Sequence, residues 1–292
     1  WRLLSQQCSW AESARLEGTL SKRIAGGEAS PALQPFWLLG SDLDEAALFR
    51  YALKHKQLVE GDATHKQVTV FGETQQRPAN QPLRIGYLSS DFYHHATAML
   101  IAGLLESHSS SVEVFVYSYG PRVDDDYRTR LRHAVPNWRD INAMSNEAAA
   151  QQIRADGIDV LVELKGRTYG ARLGITARKP APVIVHYLGY PGTLAVDGID
   201  YLVADPILVP SESELHYAES VLRMPLCYQA NDARRARPAP PPRAELGLPD
   251  DAIVLCNFNQ SYKWSERFMR VWMRALQRAP KAVLWLLEPD AV

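Results

Sequence analysis

The chain has 292 residues, of which 46% are hydrophobic and 22% charged, with a formal net charge of −1 at neutral pH. That balance suits a soluble globular protein of more than one unit, and it excludes a general electrostatic pull toward nucleic acid or an acidic membrane. Cys8, Cys227 and Cys256 show neither metal-type spacing nor an even count, and no apolar run is long enough to span a bilayer, so free thiols in a reducing, cytoplasmic setting are expected.

Up to about Lys56 the pattern is helical. Leu16, Leu20 and Ile24 recur every four residues, and Gly26-Gly27 ends that helix. A second helix is predicted from Ser41, where Asp44 three residues on resembles a capping box, and it runs through Leu48 and Leu53. Pro31 and Pro35 bracket an irregular connector between them, and residues 61–82, polar and containing several glutamines, read as a linker. Alternating strands and helices follow, the signature of a parallel sheet. Strands are predicted at 84–90, 112–119, 138–141, 158–164, 183–188, 199–204 and 221–224, in a sheet of six or so. Helices are predicted around Ala98, Ile101, Leu104 and Leu105, at 124–135, and at 146–156, where Gly157 closes the last. Residues 83–230 thus form a doubly wound α/β lobe. Residues 231–249, rich in proline and arginine, read as an interlobe linker. From 250 to 292 a strand at 252–258, an amphipathic helix at 265–279 and a strand at 282–287 begin a second α/β lobe. The helix carries Phe268, Val271, Trp272, Ala275 and Leu276 on one face, with Trp264 just ahead of it. Two strands and one helix do not bury both faces of a sheet, so the chain is expected to be a piece of a longer protein.

The chief chemical candidate is residues 84–97, RIGYLSSDFYHHAT. It places Asp91, His94, His95 and Thr97 where a parallel strand gives way to a helix N-terminus, the place where open α/β sheets bind ligands. Asp91 and His95 are four apart and share a face on the entry turn. A carboxylate and an imidazole there suit proton transfer or the holding of a charged ligand; taken alone, the stretch is better read structurally, with Asp91 as a helix cap and the histidines in a solvated loop. Three further turns follow strands: KGRTYGAR at 165–172, LGYPGT at 188–193 and NFNQSYK at 257–263. Each suits a ligand contact and equally a plain turn. Asp124-Asp125-Asp126 contains an Asp-x-Asp pattern that holds a metal in some transferases, but acids at a helix start serve the helix dipole, and that structural role is preferred.

Together SSDFYHHAT, DGIDVLVELKGRTYGAR, RKPAPVIVHYLGYPGT and FNQSYK resemble, in order and spacing over residues 80–290, the catalytic region of the protein O-linked N-acetylglucosamine transferases of glycosyltransferase family 41. The resemblance implies an α/β, two-lobed GT-B fold of Rossmann-like lobes, the second truncated. Residues 1–60 would then be the helical segment that joins tetratricopeptide repeats absent from this chain, and 250–292 the start of the nucleotide-binding lobe. It further implies inverting transfer of N-acetylglucosamine from UDP-N-acetylglucosamine to serine or threonine of protein or peptide acceptors. No cofactor, metal, nucleic acid or membrane is implied. By motif the resemblance assigns Asp91, His95 and Lys263 to catalysis. It assigns Thr97, Leu188, Gly189, Tyr190, Pro191, Gln260, Tyr262 and Lys263 to the substrates. A lysine beside departing UDP stabilises the anion that leaves. Two departures bear on the pocket: Tyr93-His94 stands where Gly-Asn is common, and Arg167 where tyrosine or histidine is common. The alternatives are a GT-B enzyme using another sugar nucleotide and a non-catalytic scaffold that keeps the fold.

Overall fold

The computed structural model describes residue 4, residues 7–60 and residues 81–288; the linker predicted at 61–82 falls outside them except for its last two residues. The chain divides into two compact units, one of Ala29–Phe36 and Asp44–Arg235, the other of Trp1–Glu28, Trp37–Leu43 and Ala236–Val292.

The first unit is built on a sheet of seven parallel strands: β1 (Leu83–Ser89), β2 (Val112–Ser118), β3 (Asn137–Asp140), β4 (Val160–Glu163), β5 (Val183–His186), β6 (Tyr201–Ala204) and β7 (Ser220–Arg223). All seven strands predicted in this stretch are present, so the sheet is slightly larger than the six or so expected. Their order is β3-β2-β1-β4-β5-β6-β7, which reverses direction between β1 and β4.

Both faces of the sheet are covered, which explains why its strands read as near-continuous apolar runs. Successive side chains point to opposite faces. Tyr87 and Val116 therefore join one core, with Ala98, Ile101 and Leu105 of α4 (Ala96–Leu105) and Leu131 of α5 (Asp126–Ala134). Leu88, Phe115, Tyr117 and Leu161 join the other, with Ala149, Ala150 and Ile153 of α6 (Asn146–Ala155) and Ile175 of α7 (Leu173–Thr176). Leu161, in the middle of the sheet, is fully buried. Leu161→Ala is expected to lower the unfolding free energy by about 2–5 kcal/mol, the usual range for a truncated core leucine, measured by urea denaturation.

The helix starts follow local chemistry. Asp125 caps α5, its Oδ1 accepting the Arg128 N–H at 2.8 Å, and Ser145 caps α6 through Ala148 N–H at 3.1 Å. The acidic triplet thus serves a helix start, as preferred. The capping box predicted at Ser41 is displaced. Asp44 itself caps α3 (Glu45–Glu60) by accepting the Ala47 N–H at 2.6 Å, while the Ser41 hydroxyl donates to Leu38 O at the end of the short helix α2 (Pro35–Leu38). An aspartate three residues beyond a serine is itself a good cap, and here it wins. The opening of the predicted interlobe linker is anchored too. Arg130 donates to Asp232 Oδ2 at 2.6 Å and to Glu106 Oε1 at 2.7 Å, with the Asp232 side chain fully buried. Composition signals a stiff spacer but carries no sign of an ionic partner a hundred residues earlier.

In the second unit, α1 (Trp10–Ala25) buries Ser13 and Ile24 but leaves Leu16 exposed. A step of four residues overshoots one helical turn, so a strict spacing of four drifts off the buried face, which runs through residues 13, 17, 20 and 24. β8 (Ile253–Asn257), α8 (Glu266–Arg278) and β9 (Ala282–Leu286) form a βαβ unit with a separate two-stranded parallel sheet. Ser265 caps α8 through Phe268 N–H at 3.2 Å. The amphipathic face is present as predicted, yet no α8 residue is buried, because a two-stranded sheet supplies little surface to cover it. Among the described residues, no helix is long and apolar enough to cross a membrane. The three cysteines are free thiols.

Candidate functional site at the carboxyl ends of β1, β4 and β5

In an open α/β sheet the crevice opens where strand order reverses, outside the strands' carboxyl ends. Here that point lies between β1 and β4, and the side chains that emerge there are polar. β1 ends at Ser89, and two residues on stands Asp91, buried at 4% exposure. β4 ends at Glu163, and two residues on stands Lys165, its ammonium donating to both oxygens of Asp91 at 2.8 and 2.9 Å. The Ser90 hydroxyl donates to Asp91 Oδ1 at 2.7 Å. The ammonium and hydroxyl contacts offset the cost of burying this carboxylate.

His95 completes the group. It is the residue ahead of α4, with extended backbone, and its Nδ1 accepts the Thr97 N–H at 3.2 Å. The cap of this helix is therefore the imidazole, and Asp91 is released for the ion pair. Accepting that bond assigns a lone pair to Nδ1 and the proton to Nε2. Nδ1 also lies 3.7 Å from Asp91 Oδ2. Burial lowers the His95 pKa below its ordinary value; the Asp91 charge raises it and the Lys165 charge lowers it further, for a net downward shift. His95 is thus a neutral imidazole near neutrality that presents an N–H donor. Thr97, buried in the first turn of α4, contributes its backbone N–H to this arrangement.

Of the three residues at the two departures from the family pattern, Tyr93 and Arg167 pack inward and His94 does not. The Tyr93 ring tilts against His95 at 5.7 Å between centroids. Burial pushes its phenol pKa up, with Asp91 and Asp125 adding to the shift. His94 is turned outward: its N–H donates to Asp125 Oδ2 at 2.8 Å and its ring meets Tyr127 edge-on. Arg167 is buried, and its guanidinium Nε donates to Leu194 O at 2.9 Å, joining the turn after β4 to the loop after β5. Its charge reaches His55, a buried histidine of α3 whose pKa is lowered first by burial and then by Arg167.

The loop after β5 carries Leu188, Gly189, Tyr190 and Pro191. Leu188 adopts φ +68°, a left-handed conformation that costs a non-glycine residue about 1–3 kcal/mol. Gly189 packs so closely on the residues just after β4 that a Cβ would sit 2.0 Å from Leu164 O, so only glycine fits. Tyr190 is buried, its ring 6.3 Å from that of Phe36. The far end of the loop is tied down by buried Glu219, which accepts from the Thr193 hydroxyl at 2.7 Å and from Leu194 and Ala195 N–H at 2.9 and 3.1 Å.

Gln260, Tyr262 and Lys263 lie in the other unit, at the 3-10 turn Ser261–Lys263 after β8. Gln260 and Lys263 are exposed and Tyr262 is half-buried; Lys263 Nζ stands 3.4 Å from Asn259 Oδ1. Sequence reasoning reached Asp91 and His95 through their spacing of four. It missed Lys165, because nothing local marks a lysine 74 residues away as their partner. The available signal was its position, two residues past a buried strand, matching that of Asp91. Among the described residues no three histidine, cysteine or acidic side chains converge as a metal site would require.

The profile of glycosyl transferase family 41 matches residues 28–239 and 240–292. The chain is 31% identical over 295 aligned residues to the probable UDP-N-acetylglucosamine–peptide N-acetylglucosaminyltransferase SEC of Arabidopsis thaliana, covering 96% of this chain and 30% of that protein. It is 26% identical to the UDP-N-acetylglucosamine–peptide N-acetylglucosaminyltransferase of Caenorhabditis elegans, covering 88% and 33%. Its structure superposes, with a TM-score of 0.71 and 28% identity, on a lysine-to-methionine mutant of the Thermobaculum terrenum O-GlcNAc transferase, over 85% of this chain and 46% of that one. The chain thus spans about a third of the length of these curated relatives.

Proposed function

The chain belongs to glycosyltransferase family 41, and from that premise we propose that it carries part of an enzyme transferring N-acetylglucosamine from UDP-N-acetylglucosamine to serine or threonine hydroxyls of proteins. The single observation that carries this reading beyond the family match is the buried Asp91–Lys165 pair beside His95, at the point where the strand order reverses. In the proposed reaction the acceptor hydroxyl attacks the anomeric carbon from the face opposite UDP. The bond from that carbon to the diphosphate breaks, and the configuration inverts. Asp91, charged and fixed by Lys165, takes up the hydroxyl proton through water and balances the positive charge that grows on the sugar. His95 orients a substrate oxygen through its Nε2–H. Lys263 and Gln260 meet the nucleotide, the lysine offsetting charge on the leaving diphosphate. The reaction so drawn uses no metal and no cofactor.

The test is transfer to protein and peptide acceptors by the full-length protein, with UDP-N-acetylglucosamine compared against other UDP- and GDP-sugars. The expected outcome is a β-linked N-acetylglucosamine on serine or threonine, undiminished by a chelator. Preference for another nucleotide sugar would replace the donor in this reading. Absence of transfer from every donor, with UDP-N-acetylglucosamine bound, would favour the scaffold alternative.

A further inference from the structure

His186, the last residue of β5, is wholly buried and lies beside Glu163, the last residue of β4, with which it pairs in register. Its Nε2 is 2.6 Å from the carbonyl oxygen of Tyr190. Its Nδ1 is 3.3 Å from Glu163 Oε2, an ion-pair approach that is off the line of a hydrogen bond. Glu163, also buried, accepts the N–H groups of Lys165 and Gly166 at 2.8 Å each. One carboxylate therefore sets the backbone of the turn that delivers Lys165 to Asp91, and through one imidazole it reaches the loop after β5. The two loops press together here: at Gly166, with φ +62°, a Cβ would sit 2.3 Å from that of Tyr190.

We propose that His186 is a positioning residue for the loop at 188–191, held as an imidazolium by Glu163 and clamping the Tyr190 carbonyl so that the strained Leu188 backbone keeps the geometry that receives the nucleotide sugar. The inference rests on the transferase reading above and deepens it. A carbonyl 2.6 Å from Nε2 requires a proton there. With that proton fixed on Nε2, the buried Glu163 carboxylate 3.3 Å from Nδ1 favours the charged ring by proximity, without an aligned hydrogen bond, and the second proton belongs on Nδ1. The titratable and charged groups acting on the ring are Glu163 from β4, Glu219 ahead of β7, and Tyr190 of the loop itself, whose ring centroid is 6.3 Å away. Burial disfavours the charged ring, but Glu163, Glu219 and the Tyr190 carbonyl together outweigh it and shift the pKa upward. Leu188 has no glycine's freedom, so its left-handed backbone persists only while its neighbours hold it. The Tyr187 N–H on Glu163 O, the Gly189 N–H on Tyr187 O and the His186 clamp are those neighbours.

The test uses the full-length protein and the variants His186→Gln and His186→Ala. Loss of a clamp that acts through loop geometry is expected to raise the KM for UDP-N-acetylglucosamine about tenfold or more, with kcat and the acceptor KM changing far less. Gln, which keeps a donor near Nε2, is expected to recover part of the loss. In wild type the donor KM is expected to rise as pH rises through the elevated His186 pKa, and that dependence is expected to vanish in His186→Gln. Two readouts are independent of turnover. Nitrogen NMR of the labelled histidines is expected to show both His186 nitrogens protonated at neutral pH. Amide hydrogen exchange across 188–191 is expected to accelerate in both variants. A singly protonated His186, or an unchanged donor KM with unchanged loop exchange, overturns the proposal. If wild type fails to use UDP-N-acetylglucosamine while the imidazolium and the loop protection are present, the transferase reading fails and the clamp stands.

Discussion

Lys165→Met is expected to lower turnover of the full-length enzyme by about a hundredfold or more, the scale for removing one preorganised charge from an active site. The change leaves Asp91, at 4% exposure, with the Ser90 hydroxyl but no cation. Breaking one side of a buried pair is also costly to the fold, about 3–5 kcal/mol, because the remaining charge is uncompensated. The two effects separate in the double variant. Asp91→Asn with Lys165→Met removes both charges and is expected to regain most of the stability in urea denaturation, while turnover stays low. If the double variant recovers turnover as well, the pair holds the fold and takes no part in the reaction.

His95→Ala is expected to reduce turnover by roughly a hundredfold, the range for a positioned group that handles a proton or a substrate hydrogen bond. Circular dichroism is expected to show an intact fold, since the lost cap costs only about 1 kcal/mol. A variant turning over at the wild-type rate would reduce His95 to its cap. The pH dependence follows from the lowered pKa. Between that lowered value and the ordinary histidine value, the unfolded chain holds a proton that the folded chain does not. Stability therefore rises with pH through this window and falls as acid takes the folded His95 through its own pKa. Protonation also places a hydrogen on Nδ1, which then no longer accepts the Thr97 N–H. The acidic limb of kcat/KM is accordingly expected below the usual histidine range, and it is expected to disappear in His95→Gln.

These residues differ in how far the chain itself discloses them. Asp91 and His95 are one helical turn apart, just after a run of apolar residues, so local spacing brings them together before any fold is known. The strands were legible for a related reason. A parallel sheet covered on both faces requires apolar residues at nearly every position, and runs such as VEVFVYS and VIVH satisfy it. The acidic start of α5 was legible because acids favour a helix N-terminus, and the Asp125 cap bonds within three residues. Arg167 stood out only as a departure from a family pattern, and its contact with Leu194 was not foreseeable from its neighbours.

Local order along the chain was thus enough for the α/β alternation, the strand–turn–helix setting of Asp91 and His95, and the family resemblance. All of these rest on contacts of short range or on periodicity within one element. Strand order is a different kind of fact. That β1 pairs with β4, and β4 with β5, is decided by crossover connections and by which faces the helices cover. Only that pairing sets Lys165 on Asp91 and His186 beside Glu163. An ion pair between residues far apart in sequence leaves no periodic trace, because neither side chain's spacing to its own neighbours records the partner it will meet.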